Sequence, residues 1–157
     1  MIEYAIASWI EGLSIGYRTG DNLFIDETPL TPQTPDNIMT VVGIPDGWDR
    51  AGNVYSATVY VSVRYGTPVE GARTVAILSR LIPDLVATSP HLEDTVSGLN
   101  VVYHLNSVAL TGGGQLAGID ELGRYTVRLP LRVSYQVVDW GAVPPPGLRF
   151  PVQLEKQ

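Results

Sequence analysis

Apolar residues recur at helical spacing from the start of the chain. Ile2, Ala5, Ile6, Trp9, Ile10 and Leu13 draw one apolar stripe, which predicts a helix over residues 1–13. Gly12 and Gly16 bracket its expected end. The pattern then turns β-like. Leu23–Glu27 is a short strand candidate, and Ile38–Ile44 reads as a strand. Between them Thr28–Asn37 carries Pro29, Pro32 and Pro35 and reads as a loop. Pro45-Asp46-Gly47 is a turn signal, and Gly52-Asn53 is a second. Residues 54–65 alternate strictly: Tyr55, Ala57, Val59, Val61, Val63 and Tyr65 point one way, Ser56, Thr58, Tyr60, Ser62 and Arg64 the other. Such alternation belongs to an antiparallel strand with one buried face and one wetter face.

Thr67-Pro68 opens a second helix, with Thr67 as cap, Pro68 at the first position and Glu70 in the first turn. It should run to about Ile82, where Pro83 stops it. Glu70, Arg73 and Arg80 share one side, while Val69, Ala72, Val75, Ala76, Leu78 and Ile82 supply the side expected to be buried on the sheet. Residues 84–98 show no regular pattern. Val101–Leu110 is β-rich, Thr111–Gln115 reads as a flexible glycine tip, and Gly118–Arg124 as a turn. Then comes the clearest strand of all. Tyr125, Val127, Leu129, Leu131, Val133, Tyr135 and Val137 alternate with Thr126, Arg128, Pro130, Arg132, Ser134 and Gln136. Pro130 removes one ladder donor, so this strand should be bent, bulged or at an edge there.

Two helices and one mostly antiparallel sheet predict an α+β fold of two layers, helices packed on the sheet. No internal repeat or linker divides it. Residues 1–139 read as a single domain, and 140–157, with Pro144-Pro145-Pro146-Gly147, as a Pro-rich extended C-terminal arm.

Composition adds a lean toward association. Of 157 residues 45% are apolar, enough for a full core, but only 17% are charged, below the roughly 25% of ordinary domains. The net charge of −6 leaves no basic footprint for holding a nucleic-acid backbone. There is no cysteine, so disulfides and thiolate metal sites drop out, in keeping with folding in a cytoplasm. No secretory leader pattern opens the chain, and no window has the length of a membrane span, so no membrane partner is expected.

Candidate chemistry is sparse. His91 and His104, the two histidines, have no ligand spacing; they read as one loop and one strand histidine, and a metal site would need them to meet with carboxylates. No serine sits in a nucleophile elbow. Asp120-Glu121 and Glu93-Asp94 read as solvated turn acids, and Gly112-Gly113-Gly114 lacks the lysine of a phosphate loop. No catalytic residue, cofactor or metal is expected. Arg124, Arg128 and Arg132 form a stripe on the polar face of the last strand. That stripe is either a solvated face or an ion-pair ladder with acids of a neighbouring subunit.

Gly118-Ile119-Asp120-Glu121-Leu122-Gly123-Arg124-Tyr125, leading into the long alternating strand, resembles the tail terminator proteins of long, non-contractile-tailed bacteriophages. The element order over residues 1–139 is similar to that family; the arm lies outside the pattern. The resemblance implies a non-enzymatic virion protein, made in the host cytoplasm and placed at the head–tail junction. Its subunits would close into a hexameric ring that caps the tail tube, meets neck or head-completion proteins and lets DNA pass through its lumen without specific binding. The candidate subunit or partner interface is Asp120, Arg124, Arg128 and Arg132 with Pro144, Pro145, Pro146, Leu148 and Phe150. Other readings are a different neck or tail-tube protein, or a small ligand-binding or hydrolytic domain. The last would need a deep pocket near His104 or Asp120.

Overall fold

A computed structural model of the chain describes residues 1–27 and 35–142. Most of the Pro-rich loop and the arm beyond residue 142, including Pro144, Pro145, Pro146, Leu148 and Phe150, lie outside the described residues. The fold is α+β, as the pattern predicts. Helix α1 (Ile2–Gly12) is followed by strands β1 (Leu23–Ile25), β2 (Ile38–Asp49) and β3 (Val54–Tyr65). Helix α2 (Pro68–Leu81) comes next, then β4 (His91–Glu93), β5 (Val102–Leu110), β6 (Gln115–Ile119) and β7 (Tyr125–Asp139). The sheet runs β1-β2-β3-β7-β5-β4, with β6 also paired to β7. Only β1 and β2 are parallel among these pairs.

Both helices lie on one face of the sheet. From α1, Ile2, Ala5, Ile6, Ala7 and Ile10 are buried, and from the sheet Val59, Val61, Val63, Leu129, Leu131 and Val133 are wholly so. Each fully buried aliphatic side chain contributes on the order of 1.5–3 kcal/mol relative to exposure, so this single apolar layer is the main source of stability. Helix α2 docks differently from its apolar count. Val69 is 78% exposed, and Ala72 and Ala76 are exposed too. Leu78 and Ile82 are buried as expected and Val75 is partly so, while Gly71, outside the apolar pattern, makes the remaining buried contact. A Cβ on Gly71 would come within 2.1 Å of the Tyr65 ring, so the missing side chain is what lets the helix close on that ring. Thr67 takes the cap position but its side chain makes no capping bond.

The strand β7 is the centre of the sheet. On one side it pairs with β3 without a shift, from Tyr55↔Tyr135 to Tyr65↔Tyr125. On the other it pairs with β5 over Leu131–Asp139 and with β6 over Tyr125–Arg128, so β5 and β6 lie end to end along it. The triglycine segment is therefore not a hairpin tip. It is the break in this outer strand, opposite Pro130. Thr111 donates its N–H to the Pro130 carbonyl (2.9 Å), so Pro130 faces the break and its missing donor spoils no bond to β3. Pro45 behaves alike. Met39 and Gly43 donate toward Asn22 and Asp26, so odd-numbered residues of β2 face the β1 side. The lost N–H of Pro45 then falls outside the β2–β3 ladder. Pro45-Asp46-Gly47 is a bulge within β2, with Asp46 accepting from Thr58 Oγ1 (2.7 Å), and the hairpin reverses at residues 50–53.

The stretch 84–98 is also more regular than its pattern. Ile82–Asp84 forms a 3-10 turn, Leu85–Thr88 one helical turn, and His91–Glu93 is strand β4. Beyond β7, Gly141 holds φ +59, and a Cβ there would meet the Leu99 carbonyl at 2.1 Å. Ala142 donates to that same carbonyl at 2.8 Å, fixing where the chain leaves the sheet.

Candidate assembly surface

The face of the sheet away from the helices is lined by the polar alternates of β3 and β7. Here the β6–β7 hairpin tip and the strands β2 and β3 bound a groove of about 810 Å³. Ile38 and Thr40 of β2 and Ser62 and Arg64 of β3 line one part, and Ile119, Asp120, Glu121, Leu122, Arg124 and Thr126 of the hairpin line the other.

The hairpin tip is built by Asp120. Its Oδ1 accepts the N–H groups of Leu122 (3.0 Å) and Arg124 (2.9 Å), and its Oδ2 accepts Arg124 Nε (2.6 Å). Asp120 N–H bonds the Arg124 carbonyl, and Gly123, at φ +77, closes the tight turn. The Arg124 amide, with the neighbouring guanidinium and the Leu122 amide, holds the Asp120 carboxyl below the ordinary aspartate value. Three of its roughly four acceptor sites are thus taken inside the turn, which makes it a structural anchor of the hairpin tip.

The arginine stripe is met largely within the chain. Arg124 also pairs Asp36 at 3.6 Å. Arg128 lies over the Tyr60 ring, 5.1 Å from its centroid. Arg132 is exposed beside the β2 bulge, near Asp46 and Ser56, and has no ion-pair partner among the described residues. Of the three, then, Arg124 meets acids of its own chain, Arg128 meets a ring of its own chain, and Arg132 meets neither among the described residues.

Pattern reasoning placed Arg64 on a wet face, but only 9% of it is exposed. Its guanidinium donates to the carbonyls of Pro35 (2.6 Å) and Asp36 (3.3 Å). Burial, with repulsion from Arg124, lowers its pKa from the usual guanidinium value.

Alternation missed a set of exposed apolar residues. Leu116, Ile119 and Leu122 on the hairpin are 61%, 58% and 75% exposed. Gly118 and Ile119 belong to β6 rather than to the turn, a strand too short to announce itself. At the far end of the sheet, the β2–β3 tip exposes Ile44 and Trp48. There Trp48 stacks on Tyr55 and Tyr55 on Tyr135, so the tip is braced to the core by rings.

Two titratable pairs lie outside this surface. His91 is in β4, not a loop, and sits opposite His104 with ring centroids 5.0 Å apart. No third ligand joins them, since the described residues hold no group of three metal-ligating side chains. Glu3 and Asp26 share a hydrogen bond near Gly43; burial and Glu3 raise the Asp26 carboxyl. Burial would also raise Glu3, but the Met1 amino group and the Glu3 amide hold it below the ordinary value.

No family model matches the chain, and no curated protein matches it. One solved structure aligns over 87% of this chain and 89% of its own at 18% identity, with a TM-score of 0.48, a likeness too slight to bear on function. None of the described helices is long and apolar enough to cross a membrane.

Proposed function

We propose that this chain is a non-enzymatic structural subunit of a phage tail, a terminator that assembles into a ring at the head–tail junction. The observation that carries the reading is the open face: Leu116, Ile119 and Leu122 are exposed on one projecting hairpin. Among the described residues, the outer edges of β6 and of β2 beyond Val41 also lack a strand partner. Such edges and patches invite contact with another chain. Heterologous contacts, repeated around an axis, close a ring. The turn Gly118–Arg124 and the following strand are the features that resemble tail terminators. In this reading the ring is a hexamer, its partners are tube and neck proteins, and the net charge of −6 favours a lumen that lets DNA slide without holding it.

The mass of the purified chain, alone and with tube protein, tests this. A sixfold mass that binds the tube end supports it. Open filaments from the chain alone would point to a tube subunit instead. A monomer that ignores tube protein at high concentration would overturn the reading.

A further inference from the structure

We infer that the groove beneath the β6–β7 hairpin takes the apolar C-terminal segment of a second copy of this chain. The inference rests on the ring reading for its partner, but its own basis is geometric. The groove has apolar lining: Ile119 and Leu122 of the hairpin are exposed, and the buried Ile38 lies against it. Arg64 and Arg124 lie alongside, and planar guanidinium groups accept an aromatic ring. The arm carries a matching pattern. Leu148, Phe150, Val152 and Leu154 fall at every second position, so an extended segment would present all four on one side. Extended peptides with alternating anchors are a common mode of docking beside exposed strands.

Reach decides whose arm it is. The groove lies at the Tyr125 end of β7, whereas the chain leaves the sheet past the Asp139 end, tied at Ala142 to Leu99. At about 3.3 Å per residue, β7 separates these two points by roughly 40–45 Å. The six residues from Ala142 to Leu148 span at most about 21 Å, and Phe150 lies at most about 28 Å away. Val152, at most about 35 Å away, also falls short, so three of the four anchors, Leu148, Phe150 and Val152, stop before their own subunit's groove and only Leu154 has the length for it. With the arm at one end and the groove at the other, each copy feeds the next head to tail, the contact a ring requires.

The chain has no cysteine, so paired substitutions report the contact cleanly. Leu122→Cys and Phe150→Cys are placed together in the full chain and oxidised mildly. The expected result is a ladder of covalent multimers. Mixing the two single variants should give a covalent dimer and little beyond it. An internal disulfide within monomers would overturn the inference. So would a double-cysteine variant that assembles to the same mass as the unsubstituted chain yet yields no cross-link, which would leave the ring reading standing. A cross-link on mixing without a sixfold mass would do the reverse. A labelled peptide of residues 143–157 adds a second measure. It should bind full-length Phe150→Asp chain and bind the Leu122→Asp, Phe150→Asp double variant at least tenfold more weakly; equal binding to both would overturn the inference.

Discussion

The two faces of the sheet are built to different rules. The helix-covered face is aliphatic, closed and continuous: Val59, Val61, Leu129 and Leu131 have no exposed surface. The opposite face is polar, grooved and rimmed by arginines, and its apolar residues sit on a hairpin in solvent. One strand, β7, serves both faces through its alternation. The contrast separates the side chains that carry stability, on the closed face, from the hairpin residues proposed to carry association, so that substitution can test each alone.

Leu131→Ala probes the closed face and should have the largest effect. Loss of a fully buried leucine costs about 2–5 kcal/mol, read as a lowered urea midpoint with an unchanged slope. Gly71→Ala comes next. Helix propensity alone would favour alanine by about 1 kcal/mol, yet its Cβ meets the Tyr65 ring, so net destabilisation by about 1–3 kcal/mol is expected from overpacking. A net gain in melting temperature would show that the ring moves aside freely.

On the open face the effects should be small in stability and large in assembly. Leu122→Asp should change unfolding free energy by no more than about 0.5 kcal/mol, because the side chain is 75% exposed. Under the proposed ring, the sixfold species should nevertheless be depleted in sedimentation. The smallest effect concerns the turn. The Asp120 carboxyl is held below its ordinary value, so the support it gives is present above the unfolded aspartate value of 3.8 and fades as pH falls through the lower folded value. Proton NMR of the Leu122 and Arg124 amides should therefore change only below pH 3.8, and not between pH 7 and pH 4. A transition near pH 5 would mean that the turn does not hold this carboxylate.

Much of the fold was legible because periodicity records burial. The stripe of α1 and the alternation of β3 and β7 mark the closed face. Proline was the poorest guide. Pro45 and Pro130 look like breakers, but the cost of a missing donor depends on which side it faces. That side is a property of pairing, which no single segment reveals. Arg64 was misplaced for a related reason: its cover comes from Pro35 and Asp36, distant in sequence. At the candidate surface, Asp120 and Arg124 were legible as an Asp-to-Gly-Arg turn. Leu116, Ile119 and Leu122 were not, since β6 is five residues long and wholly exposed. The presence of three large apolar residues around a glycine turn was the available signal.

The central strand of the sheet is also the last made of the described strands. Strands β3 and β5 flank β7 but do not touch each other in the sheet order, so neither can finish its ladder until residues 125–139 leave the ribosome. Before then a nascent chain presents two unfinished edges and an uncovered aliphatic face. Late closure by a long-range pairing is slow and exposed to misassociation. Synthesis rate and chaperone supply should therefore govern the yield of this protein more than its final stability does.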